Sequence, residues 1–111
     1  MSQTNKTTNA ILKFLFSAGI FAWRANVLPV PLLGGGFRPG GKAGTPDILG
    51  ILTKTGRFLG IEIKSGRDRL RPEQIGFHKN AMDAGALILV VKDFEDFLTQ
   101  WNDYLRISKT T

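Results

Sequence analysis

The spacing of apolar residues changes period several times along the chain. Ile11, Leu12, Leu15 and Phe16 recur at three- and four-residue intervals, which predicts a helix. Thr7 and Thr8 can cap its start, and Gly19 ends it. "IFAWRANV" (20–27) alternates loosely and is rich in aromatic and β-branched residues, so it reads as a strand. "DILGIL" (47–52) and "RFLGIEIK" (57–64) are strands joined by the turn "TKTG", a hairpin. Pro72 suits the first turn of a helix that runs through Phe77 to about Ala84 and is ended by Gly85. "ALILVV" (86–91) is wholly apolar, as expected of a strand in the middle of a sheet. "DFEDFLTQWNDYL" (93–105) is an amphipathic helix started by Asp93. Its stripe of Phe94, Phe97, Leu98, Trp101 and Leu105 is either core or, in a domain this small, a dimer interface. The order is αβββαβα, without an internal repeat, and a single domain over residues 1–111 is expected.

Between the first two strands, residues 28–45 hold three of the five prolines and six of the thirteen glycines. Loops of this length in a compact domain are usually functional or disordered. From Gly36 to Lys42 this one spells G-x-x-x-x-G-K, close to a phosphate-cradling P-loop. A P-loop, however, follows a strand and opens a helix, whose N-terminus holds the phosphates. Here Ala43 stands where a Ser or Thr would bind Mg²⁺, and Pro46 leads into a strand. No nucleotide cofactor is therefore expected. A sharper reading is that Arg38 and Lys42 follow a phosphate backbone; the plain alternative is a flexible connection.

Composition narrows the chemistry. Of 111 residues, 42% are hydrophobic, enough for a packed core. No apolar run approaches the roughly 20 residues of a membrane helix, so no membrane partner is expected. The polar start "MSQTNKTTN" has no signal-peptide pattern, and an intracellular, cytoplasmic setting, in a phage or bacterial context, is expected. With no cysteine and one histidine, thiolate and His-rich metal sites are excluded. A metal here must be held mainly by oxygen, which favours Mg²⁺ or Mn²⁺. The net charge is +6 and uneven: residues 1–82 carry 12 Lys/Arg against 4 Asp/Glu, and residues 83–111 carry 3 against 5. A basic body suits a polyanion, although solubility charge alone is a fair competitor.

Three residues carry the candidate chemistry. Asp47 opens one strand of the hairpin. Glu62 and Lys64 lie two apart on the other, and so share a face. The hairpin brings Asp47 close to the Glu62 end of its partner. Two carboxylates and a lysine converge there, the donor set for a hard divalent ion beside a group that can position a water or neutralise charge. A plain solvated strand face is the competing reading, but apolar neighbours surround the pair, and Gly60 on the same face leaves room for a ligand.

"GTPDILGIL", followed fifteen residues after Asp47 by "GIEIKSG", then "RLRPEQIGF" and "AGALILVV", resembles the virus-type replication-repair nuclease (VRR-NUC) family of the PD-(D/E)xK nuclease superfamily. The resemblance runs from about Ala22 to Asp93 and includes "WRAN". It implies a restriction-endonuclease-like α/β fold: an αβββαβ core with a central mixed sheet flanked by helices, plus an extra C-terminal helix. It further implies that Asp47 and Glu62 bind the metal together with the backbone carbonyl of Ile63. Lys64 then acts on the attacking water, and Gln74 orients Lys64 or the scissile phosphate. Many members carry a first-helix glutamate in the site; this chain has no Asp or Glu before Asp47, and Asn9 is the nearest stand-in unless it is only a cap.

The expected activity is metal-dependent hydrolysis of DNA phosphodiester bonds. Small stand-alone members resemble Holliday-junction resolvases, so a homodimer acting on branched, four-way DNA is favoured. A flap or nicking nuclease, or a catalytically silent DNA-binding module, are the alternatives. Arg67, Arg69 and Arg71 are expected to grip the backbone rather than form an ordinary loop. For Arg24, phosphate contact and plain exposure beside a core Trp23 stand equal. For His78, a surface or packing role is expected.

Overall fold

The computed structural model describes residues 2–25, 29–38 and 40–110. Its elements are α1 (Gln3–Ser17), β1 (Phe21–Arg24), β2 (Val30–Pro31), β3 (Phe37–Arg38), β4 (Ile48–Ile51), β5 (Phe58–Ile63), α2 (Pro72–Asp83), β6 (Leu87–Val91) and α3 (Phe94–Thr110). The expected αβββαβα order is present, with β2 and β3 as a small extra hairpin inside the glycine-rich loop. The strand expected over residues 20–27 ends at Arg24, and Asn26 and Val27 lie outside the described residues, as do Leu28 and Pro39 of the loop.

Two expectations are corrected. The first helix starts at Ser2, whose side-chain oxygen accepts the Asn5 N–H at 3.1 Å, not at Thr7 or Thr8. Those threonines sit a turn inside, fully buried, and Thr8 returns its hydroxyl to the Thr4 carbonyl at 2.8 Å. Asn9 is accordingly mid-helix and caps nothing. Second, β6 is not central. The four-stranded sheet runs β1-β4-β5-β6, with β1, β4 and β5 antiparallel and β6 parallel to β5. It is apolar because helices cover both of its faces, α3 on one and α2 on the other. Its outer edge is blunted by Gln100, whose amide donates to the Val90 carbonyl at 2.9 Å.

Register separates the two faces of the sheet. Pairing of Ile48 with Ile61, and of Ile61 with Leu89, places these side chains on one face. There they join Ile11 and Leu15 of α1 and Phe97 and Trp101 of α3 in the main core. Each such side chain contributes roughly 1.5–3 kcal/mol by leaving water, so this face carries most of the stability. The α3 stripe is thus core at Phe97 and Trp101, and only its far end, Leu105, is exposed. The opposite face holds Gly60, Glu62 and, one step further, Lys64. Over it lies α2, whose inward residues Gln74 and His78 are buried while Ile75 and Met82 are more than half exposed. The helix turns its polar side inward.

Candidate active site

Asp47 is fixed through both its main chain and its side chain. Its carbonyl accepts the Ala25 N–H at 2.9 Å, extending the β1–β4 ladder by one residue. Its Oδ2 accepts the Ile63 N–H at 2.8 Å. The register that pairs Ile48 with Ile61 puts Asp47 opposite Glu62, both on the α2 side of the sheet. Pro46, fully buried, holds the entry to β4. It packs on Gly60, where an added Cβ would lie 3.0 Å from Pro46 Cγ and 2.8 Å from Ile88 Cδ1. The space at Gly60 is therefore filled by protein and is not room for a ligand.

Glu62 is only 2% exposed, and no hydrogen bond reaches its Oε1. His78 Nε2 lies 3.5 Å away, close enough for attraction but too far for a hydrogen bond, and it too is without a partner. Burial, then the facing Asp47 charge and its hydrogen bond, push the Glu62 carboxyl up to about 8, against opposing pulls from Lys64 and Arg71. Burial, then the Lys64 ammonium, lowers the pKa of His78. Near neutral pH the pair is thus a protonated acid beside a neutral imidazole, not an ion pair. Two carboxylates that face each other suit a hard divalent cation, which would relieve their repulsion. Among the described residues no group of three or more His, Cys, Asp or Glu side chains is placed to hold a metal ion, so Asp47 and Glu62 would need main-chain oxygen and water to complete a shell.

These residues open into a cleft of about 450 Å³. Its floor is Asp47 and Glu62, and its walls include Lys42, Arg71 and Gln74. The loop from Gly41 to Pro46 forms one side and the start of α2 the other. They meet at Gly44, with φ +82° and an ideal Cβ 2.1 Å from the Glu73 carbonyl oxygen; only glycine allows that approach. Gln74 accepts the Arg71 N–H through Oε1 at 2.9 Å, closing the first turn of α2. Its carbonyl is committed there, which leaves its amide for other work. Glu73 lines the same cleft and pairs with Arg71 at 3.1 Å.

The structure brings Asp47, Glu62, Gln74, Lys42 and Arg71 to one cleft, with Lys64 near enough for its charge to act on Glu62 and His78. Others stand apart. Arg24 shares the α1 side of the sheet with Ile48, and its guanidinium donates to Asn5 at 3.2 Å and Asn9 at 2.8 Å. Arg38 is exposed on β3, and Arg67 and Arg69 are exposed on the loop after β5; none of the three lines the cleft. His78, expected to serve the surface or packing, is not at the surface but buried against Glu62. Its four-residue spacing from Gln74 was the available signal, since such residues share a helix face.

Residues 6–92 match the family model described as VRR-NUC domain. The chain belongs to the VRR-NUC family. A solved structure described as a VRR_NUC domain is similar over 94% of this chain and 99% of its own, with a TM-score of 0.70 and 20% identity, a likeness of fold. The search of curated proteins finds no match. This VRR-NUC domain is thus a nuclease-type domain, with DNA as the substrate that the family implies, and its mixed sheet flanked by helices is the family's fold. Among its described residues no helix is long and apolar enough to cross a membrane.

Proposed function

We propose that this VRR-NUC protein is a structure-selective DNA endonuclease that works with Mg²⁺ or Mn²⁺ and cuts four-way junctions as a homodimer. The observation that carries the metal assignment is the buried Glu62 facing the half-buried Asp47 on the floor of a basic-walled cleft. Asp47, Glu62 and the Ile63 carbonyl would hold the cation. When bound, it supplies charge stabilisation at the phosphate and acidifies a bound water. The chain's own groups do the rest. Lys64 orients the attacking water or offsets developing charge. Gln74 offers its amide to Lys64 or to the phosphate. Lys42 and Arg71 draw the DNA backbone onto the cleft, and Arg67 and Arg69 extend that grip along the exposed loop.

Dimerisation has a candidate surface. Phe21 and Trp23, 5.1 Å apart, share a sheet face with Ile51 and Phe58, and all four are exposed. This is the same face that bears Asp47, beyond the reach of α2. A second copy seated there would cover the apolar patch and supply the second active site that paired cuts need. The test is purified protein with Mn²⁺ on labelled junctions, flaps and linear duplexes, with light scattering for mass. Junctions should be cut in opposing strands nearly together, Asp47→Ala should abolish cleavage while DNA binding persists, and Phe21→Glu should yield monomer. Monomeric wild type with no junction preference would sink the resolvase reading in favour of a flap or nicking nuclease. Cleavage by Asp47→Ala at the wild-type rate would sink the site.

A further inference from the structure

The cleft explains why Asp47, Glu62, Gln74 and Arg71 are where they are, but not why an imidazole lies beneath them. A position buried under a helix ordinarily takes an apolar side chain, because a buried polar group without a partner costs free energy. Here α2 puts Ile75, 54% exposed, and Met82, 52% exposed, on its outer side and gives His78 the interior. The His78 side chain is 5% exposed and faces the Glu62 side chain, itself 3% exposed, with Nε2 3.5 Å from Oε1. Neither atom has a hydrogen-bond partner.

We propose that His78 is a positioning residue, which donates its Nε2–H to Glu62 Oε1 and so holds the carboxylate in its cation-binding orientation. The proposal rests on the metal-nuclease reading above. The terminal torsion of a glutamate is soft, so a small rotation of the carboxylate turns the 3.5 Å approach into a hydrogen bond. An ionised Glu62 that gives one oxygen to a cation must satisfy the other, and Oε1 has no other donor among the described residues. A neutral imidazole suits this place. It supplies one N–H and no charge, so it does not compete with the cation, whereas Lys64 already provides positive charge nearby. Partners that orient a metal-binding side chain commonly govern metal affinity about ten- to hundred-fold.

The test compares His78→Gln with His78→Met, which match in length and flexibility and differ in the donor. Two readouts are followed against Mn²⁺ concentration: the rise in melting temperature without DNA, and the cleavage rate. His78→Met should need about ten- to hundred-fold more Mn²⁺ in both titrations and reach a similar rate at saturation, while His78→Gln should stay within about three-fold of wild type. Equal midpoints for wild type and His78→Met would overturn the proposal. So would equal shifts in both variants, because a packing role would not distinguish them. Metal-free melting of each variant shows that it is folded before titration. Should His78→Met fail to fold, His78→Leu takes its place as the variant without a donor. If wild type shows no Mn²⁺-dependent stabilisation or cleavage, and matches Asp47→Ala, the metal reading itself is what has failed.

Discussion

In the proposed function Glu62 is an ionised ligand, yet it lies in surroundings that disfavour its charge. Its carboxyl is pushed up to about 8 in the fold, against 4.5 for an ordinary glutamate. The folded chain therefore holds this proton more tightly than the unfolded chain does. The associated stability is full below about pH 4.5, falls as pH rises, and is gone above about pH 8. Glu62→Gln removes that titration. Without metal, the variant should melt about 5 °C or more above wild type at pH 8, with the gap closing towards pH 4.5. Mn²⁺ should raise wild type alone at pH 8. A gap independent of pH, measured by thermal melting, would refute the account. The two carboxylates and Lys64 are legible in the sequence because strand alternation and hairpin pairing fix which side chains meet. His78 is not. Helical spacing says that it shares a face with Gln74, but only the packing of α2 says that this face points inward.

At the scale of elements, the cleft depends on a contact between a loop and a helix start. Gly44 and Gly35 both have positive φ, +82° and +95°, but only Gly44 touches anything: a Cβ there would meet the Glu73 main chain, whereas at Gly35 it meets open space. Gly35→Ala should cost about 1 kcal/mol, the backbone term alone. Gly44→Ala adds a clash with a carbonyl that cannot swing away, so it should cost about 2–4 kcal/mol and slow cleavage by widening the cleft. Urea unfolding of the two variants separates them, and equal midpoints would mean that the loop does not rest on α2. Element types and order were readable from periodicity. Two details were not, for the same reason. Thr7 and Thr8 have cap chemistry but are drawn into the interior by tertiary packing, and an apolar run such as Leu87–Val91 reports covered faces, not rank within the sheet.

Across the whole molecule, apolar burial is unequal on the two sides of the sheet. Phe97, Trp101, Ile11 and Leu15 tie α1 and α3 to one side, while α2 sits on the other over Glu62, with Gln74 and His78 as its buried residues. The basic balance of residues 1–82 could be read from composition, but this asymmetry could not, because it arises from a helix whose fully buried residues, Gln74 and His78, are polar while Ile75 and Met82 face outward. It divides the fold into parts of different local stability. Opening free energy follows buried apolar contact, so α2 should be the part that lifts away while the rest stays folded. Native-state amide exchange should find the amides of α2 exchanging well before those of α3, through an opening cheaper than global unfolding. Mn²⁺ should slow them selectively if, as proposed, Glu62 holds a cation, since the helix would then have to be down for the cation to stay bound. Equal protection of α2 and α3 without metal would contradict this. On the proposed function, the inward polar face would make the cover of the site its most readily exchanging unit and would tie the closing of that cover to the arrival of the cation.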